Sequence, residues 1–175
     1  MALSRKDRTR RAAILCCHCL RNIAFYRAGW NGGRPRVDRE FWRNTNSGCL
    51  DIAVLEWCKL FMDRPGKHHW RKVIDQEADF HAALLARLRL SDAEYLEYAL
   101  SIKGYRDRFV AHLDEDPVMM IPRMRIARRA VAFLYEHLRS DSATSHYLPD
   151  ANRSAAQFYA FWYQHARFEY DKGSK

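Results

Sequence analysis

Turn-forming residues are scarce in this chain, which has only 7 glycines and 5 prolines among its 175 residues. A sandwich or barrel of many short strands needs a turn roughly every ten residues, so that architecture is not expected. Hydrophobic residues make up 48% of the sequence, which is enough for the packed core of one domain. No stretch approaches about 18 uninterrupted apolar residues, so we expect neither a transmembrane helix nor a membrane partner.

Apolar residues at three- and four-residue steps indicate six helices, which begin near Ser4, Asp38, His69, Ser91, Pro122 and Asp150. The segment 29–35 and the Pro65-Gly66 dipeptide are clear breaks, and the second helix is expected to be interrupted around 44–48. Ser91, with Glu94 three residues later, predicts a capping box at the start of the fourth helix. We therefore predict an all-α fold, an antiparallel bundle of five to six helices with short connections.

Positive charge is concentrated in the first quarter of the chain. Residues 1–43 carry 11 Lys+Arg and 3 Asp+Glu, a net charge of +8, whereas the whole chain has a net charge of +9. Such a distribution is typical of a surface that binds nucleic acid, although a basic tail and a solvated helix face would look the same. We expect a single domain over residues 1–175, in which residues 1–11 could form a flexible basic arm.

Three of the five cysteines, Cys16, Cys17 and Cys19, are crowded around His18. A structural zinc site usually needs a second cysteine pair at similar spacing, and the other two cysteines, nine residues apart, do not provide one. On a helix Cys16 and Cys19 share the apolar face, so we expect buried thiols and no metal site. An odd number of crowded cysteines does not resemble a secreted disulfide framework, so a reduced, cytoplasmic protein is expected.

The segment YRDRFVAH, residues 105–112, stands at the predicted end of the fourth helix. Arg106 falls on the apolar stripe of Ile102, where a guanidinium needs a carboxylate, a phosphate or an interface to accept its hydrogen bonds. His112 lies on another face, four residues after Arg108. The combination of these groups, rather than the histidine alone, makes the segment a candidate functional site.

The run from Arg106 to His112, with Asp107 directly after the arginine, resembles the signature Arg-(Asn/Asp)-x-x-x-x-His of the HEPN superfamily. The resemblance implies an HEPN-like bundle and a metal-independent endoribonuclease that acts as a homodimer and needs no cofactor. It implies that His112 acts as general acid/base or orients the 2′-hydroxyl, that Arg106 binds the scissile phosphate, and that Asp107 orients its neighbours. HEPN domains of abortive-infection and toxin–antitoxin systems further imply a role in phage defence and an antitoxin or other protein partner.

This division of roles is chemically coherent, because RNA carries its own nucleophile in the 2′-hydroxyl. The enzyme then supplies proton transfer, which suits an imidazole with a pKa of about 6.5, and a fixed guanidinium that stabilises phosphate charge. On one straight helix Arg106 and His112 point too far apart to grip one phosphate, so two protomers are expected to combine their motifs.

Two alternatives stay open on the sequence alone. The chain could be a catalytically inactive helical module that binds nucleic acid, with Arg106 in a structural ion pair. It could also be a component of a toxin–antitoxin pair whose sixth helix, aromatic on more than one face, contacts a protein partner.

Further RNA contacts are predicted where basic residues are interleaved with aromatic ones, since rings stack on bases and arginines hold phosphates. The candidates are Arg108, Trp30, Arg34, Arg36, Arg39 and Arg43. Trp30, in a glycine-rich loop, is predicted to be the exposed stacking residue. Arg125, Arg128 and Arg129 on the fifth helix are expected to form an ordinary solvated face.

Overall fold

A computed structural model describes residues 3–110 and 120–173, and it confirms the all-α helical bundle. The helices in these ranges are α1 (Arg5–Ala28), α2 (Glu40–Phe61), α3 (Glu77–Leu88), α4 (Asp92–Tyr105), α5 (Met124–Ser140) and α6 (Ala155–Gly173). A π-helical turn, Arg106–Val110, continues α4, and short 3₁₀ turns occur at Trp70–Lys72 and Ser145–Tyr147. Two short strands, β1 (Trp30–Asn31) and β2 (Arg34–Pro35), form an antiparallel hairpin between α1 and α2.

Helix α1 is the centre of the bundle and packs against α2, α5 and α6. Its apolar side chains meet a core in which Trp57, Ile102 and Leu134 are fully buried. Each such side chain contributes roughly 1.5–3 kcal/mol through the hydrophobic effect. Helix α4 reaches this core mainly through its packing on α2, which brings residues 105–110 close to the end of α2.

The N-terminal segment is more ordered than expected. Residues 5–11, which could have formed a flexible arm, make the first turns of α1. The Ser4 hydroxyl accepts a hydrogen bond from the Asp7 backbone N–H at 3.1 Å and caps the helix. Thr9 is fully buried, because the start of α1 packs on the rest of the bundle.

The predicted interruption of the second helix and the predicted start of the third are both wrong. Helix α2 runs without interruption through 44–48, because tertiary hydrogen bonds fix the buried Asn46 side chain. The third helix begins at Glu77 rather than at His69, whose ring instead caps a 3₁₀ turn by accepting from the Arg71 N–H at 3.2 Å. The capping box of Ser91 and Glu94 is confirmed. Within the described ranges, no helix is both long enough and apolar enough to cross a bilayer.

Candidate functional site

Arg106 lies where α4 changes into the π-helical turn, and its guanidinium is held by two carboxylates. Nη1 donates to Asp63 Oδ1 at 2.7 Å, and Nε donates to Asp107 Oδ1 at 2.8 Å. The Arg106 side chain is 16% exposed. The sequence predicts a carboxylate, a phosphate or an interface for an arginine on this stripe, and the structure places a carboxylate there.

Asp63 is positioned by the tight turn that follows α2. Its N–H donates to the Cys58 carbonyl at 2.9 Å, and its carbonyl accepts from the Gly66 N–H at 2.7 Å. A Cβ on Gly66 would lie 2.7 Å from the Asp63 carbonyl oxygen, so the turn requires glycine at this position. The sequence predicts the Pro65-Gly66 turn, but Asp63 was not identified as a site residue. The signal that could have indicated it is a carboxylate just before the turn.

A second bond joins the end of α4 to α2. The Tyr105 hydroxyl donates to Asp51 Oδ1 at 2.9 Å, and the tyrosine is buried. Burial and the Asp51 carboxylate both raise the pKa of Tyr105, so its hydroxyl stays protonated and remains a donor. The ring also packs against Phe109, with 5.7 Å between centroids. The start of the π-helical turn is therefore fixed to α2 by two polar contacts, through Tyr105 and Arg106.

The charges around Arg106 balance locally. Lys103 pairs with Asp107 one turn away, and Arg106 bridges Asp107 and Asp63. The hydrogen bond from Lys103, together with the one from Arg106, lowers the pKa of Asp107 against the opposing effect of burial. Burial acts to lower the pKa of Arg106, but its bonds to the two carboxylates keep that pKa above the usual value.

The π-helical turn carries the first five residues of the sequence motif, Arg106–Val110. π-helical turns are rare and frequently mark functional sites, because the extra residue redirects the side chains that follow. Arg108 is exposed, while Phe109 and Val110 pack against the edge of the core. His112, predicted as the proton-transfer group, lies outside the described residues.

Trp30, predicted as an exposed stacking residue, is half-buried in the structure. Its indole Nε1 donates to Asn46 Oδ1 at 2.9 Å, and its ring lies edge-on to Tyr26 with centroids 6.2 Å apart. The same Asn46 donates to the Tyr170 hydroxyl at 3.1 Å. Trp30 thus holds the β1–β2 hairpin against α1 and α2 and exposes only part of its ring.

The four arginines predicted to bind RNA beside Trp30 are not equivalent. Arg36 is largely covered and lies 3.5 Å from Asp171, and Arg43 pairs with Asp38. Arg34 and Arg39 are exposed. Arg34 belongs to β2 and the other three arginines follow the hairpin, and carboxylates offset the charge of two of the four.

The thiols of Cys16 and Cys19 are fully buried, as predicted. Burial raises the pKa of both thiols, so they remain protonated and unreactive. In the part of the chain that the structure describes, no group of three or more His, Cys, Asp or Glu residues is arranged to hold a metal ion.

The Arg106 guanidinium is permanently charged and held in a fixed orientation, with 16% of its side chain exposed. Among the described residues its two side-chain hydrogen bonds use Nε and Nη1, and none uses Nη2. A phosphate oxygen is the acceptor best matched to such a donor. Comparisons with protein-family models, curated proteins and solved structures find no match to this chain.

Proposed function

We propose that this chain is an HEPN-type, metal-independent endoribonuclease whose phosphate-binding group is Arg106. The observation that carries the proposal is the anchoring of Arg106 by Asp63 and Asp107 at a π-helical turn. A guanidinium held in this way needs no reorganisation when charge develops on a phosphate, which is how fixed donors stabilise transition states.

The reaction uses the 2′-hydroxyl of RNA as the nucleophile. It attacks the adjacent phosphorus, and the bond to the 5′-oxygen of the next nucleotide breaks, which leaves a 2′,3′-cyclic phosphate and a 5′-hydroxyl. Arg106 stabilises the added negative charge on the phosphate oxygens. The motif assigns the proton transfers to His112.

A homodimer is supported by the outward face of α4. Leu96 and Leu100 are 56% and 53% exposed, and Lys103 and Asp107 continue the same stripe toward the motif. At about 100° per residue these four side chains fall within roughly 60° of one another, opposite the buried face of the helix. Two copies that pair these stripes about a two-fold axis bring their Arg106 sites together.

One observation favours a second candidate, a catalytically inactive helical module that binds nucleic acid or a protein partner. Asp63 and Asp107 together balance the charges of Arg106 and Lys103, as in a structural ion-pair network. Exposed aromatic side chains on α6, namely Phe161 and Phe168, suit contact with a protein such as an antitoxin.

An RNA-cleavage assay in EDTA tests the proposal. Wild type is compared with Arg106→Ala and His112→Ala, and Arg167→Ala serves as a control that removes an exposed arginine from α6. The nuclease proposal is supported if Arg106→Ala and His112→Ala lose cleavage while the Arg167→Ala control keeps it, provided that circular dichroism shows the variants folded. Cleavage that persists in both of them identifies a contaminant and refutes it. RNA retained without cleavage, and released by salt, supports the inactive module.

A further inference from the structure

Five arginines from two helices converge on one side of the bundle. Arg87 and Arg89 stand at the end of α3, and Arg125, Arg128 and Arg129 stand on α5. We call these five residues the arginine cluster. The sequence predicts that the α5 members form a solvated face, whereas the fold adds two more arginines from α3.

The arginine cluster has no ion pair with any described carboxylate. Arg129 is fixed in place, because its Nη1 donates to the Leu88 carbonyl at 3.2 Å and its Nη2 to the Arg87 carbonyl. Burial, and the positive fields of the other four members, lower the pKa of Arg129. Like charges held this close together are costly unless an anion binds between them.

Arg89 adds a further positive charge to the cluster, and its own backbone conformation is unfavourable. It ends α3 with φ = 59°, in the left-handed region, where glycine is the usual residue. An arginine at this position places a further guanidinium beside the other four, although a glycine here would strain the backbone less.

A cleft of about 600 Å³ adjoins the arginine cluster between α5 and α6. Its apolar lining is formed by Leu20, Ala132, Phe133, Ala155, Ala156, Tyr159 and Ala160. Arg87, Arg128 and Arg129 also line the cleft, and Arg128 lies over the Tyr159 ring, 4.6 Å from its centroid. The volume lies within the range of small-ligand pockets, about 300–1,000 Å³.

A second, polar cleft of about 560 Å³ shares Arg87 and Arg129 with the first and is also lined by Arg89 and Arg125. The two clefts therefore adjoin at these shared arginines, and together they offer an apolar half and a cationic half. One carboxylate, Glu136, lines the apolar half, and it is occupied by the Ala155 N–H and by Arg139.

We propose that this two-part site binds a nucleoside phosphate, either free or as a unit of single-stranded RNA. The base lies in the apolar cleft against Tyr159, and the phosphate oxygens accept hydrogen bonds from the arginine cluster. The shared arginines Arg87 and Arg129 stand where the two halves meet, which is where the first phosphate would lie. This site is separate in sequence and in its elements from Arg106, so the proposal does not depend on ribonuclease activity.

Equilibrium binding of radiolabelled ATP and of a 5′-labelled oligo(U) RNA tests the site. The double variant Arg87→Ala/Arg125→Ala removes two exposed guanidinium groups, and Ala160→Trp fills the apolar cleft without changing charge. Arg153→Ala and Arg167→Ala, on the segment before α6 and on α6, are controls for the loss of surface charge. We expect both test variants to weaken binding at least about tenfold, and the controls to change it less than about twofold.

The two probes distinguish the sources of the ligand. Tighter binding of ATP identifies a free nucleotide, and tighter binding of the RNA identifies a strand; both support the proposal. Binding that is abolished in the arginine variant but unchanged in Ala160→Trp shows non-specific attraction of polyanions and overturns it. So does the absence of saturable binding of either probe up to millimolar concentration.

Discussion

Arg106, directly after α4, and Asp63, after α2, are joined by a 2.7 Å hydrogen bond between Nη1 and Oδ1, although they lie 43 positions apart in the sequence. This contact fixes the first residue of the motif to the turn that follows α2. Asp63 in turn depends on the Gly66 turn, so the orientation of Arg106 is determined by a segment that carries no part of the motif.

Removal of the Asp63 carboxylate tests this relationship. Asp63→Asn should lower the free energy of unfolding by about 1 kcal/mol, because the charge of the bond to the mostly buried guanidinium is lost. The loss is no larger than this because solvent around the half-exposed carboxylate weakens the ion pair. Asp38→Asn is the matched control, since Asp38 pairs with Arg43 where both side chains are well exposed. Urea denaturation should show a change below about 0.5 kcal/mol for the control. Equal effects of the two variants would contradict the assigned role of Asp63.

Two glycine substitutions are expected to have opposite effects on stability. Gly66→Ala should destabilise the fold by about 1–3 kcal/mol, because its Cβ would lie 2.7 Å from the Asp63 carbonyl oxygen. Gly48→Ala, in the middle of α2 with no atom within 4 Å of its Cβ, should stabilise it by about 0.5–1 kcal/mol. Thermal melting of the two variants measures both effects, and stabilisation by Gly66→Ala would show that the turn is not tight.

Glu56 on α2 should make the stability depend on pH. Its carboxyl is buried, Oε2 has no hydrogen-bond partner among the described residues, and Oε1 lies 3.4 Å from His18 Nδ1. Burial raises the pKa of Glu56 from 4.5 to about 7. Between these two values the folded state binds more protons than the unfolded state, so this group's contribution to stability falls as pH rises from about 4.5 to 7.

Glu56→Gln removes this penalty. The variant should melt at a higher temperature than wild type at pH 8, where the buried carboxylate is ionised, and the difference should shrink at pH 5. His18 cannot compensate, because burial and the nearby Arg21 lower the pKa of its imidazole. A difference in melting temperature that is the same at both pH values would show that Glu56 does not titrate in this window.

Arg89 is expected to lower the stability of the fold while it strengthens ligand binding. Arg89→Gly should stabilise the end of α3 by about 1 kcal/mol, because glycine adopts positive φ without a steric cost. The same change removes a guanidinium from the arginine cluster and should weaken binding of ATP or oligo(U) RNA. Chemical denaturation and the binding assay measure the two effects, and tighter binding by the glycine variant would contradict the proposed ligand site.

Local features of the sequence were sufficient to predict much of this fold. The Ser91–Glu94 capping box and the turn at Pro65-Gly66 depend on neighbouring residues, and both are present. Position on a helical stripe also predicted that Arg106 needs an acceptor. These inferences hold because helix periodicity and capping are short-range properties.

Features that depend on contacts between distant segments could not be predicted in the same way. Asn46 favours a helix break locally, but its bonds to Tyr26 and Tyr170 keep α2 continuous. The arginine cluster forms only when the end of α3 meets α5, so its α5 members were interpreted as a solvated face. Asp63 was missed for the same reason.

The most direct test of the central claim is cleavage of a labelled RNA and of its fully 2′-O-methylated counterpart in EDTA. The account predicts that wild type cuts only the unmodified RNA, leaves a 2′,3′-cyclic phosphate, and loses about 10²–10³-fold in rate in Arg106→Ala. Cleavage of the methylated strand, or an unchanged rate in Arg106→Ala, would contradict it.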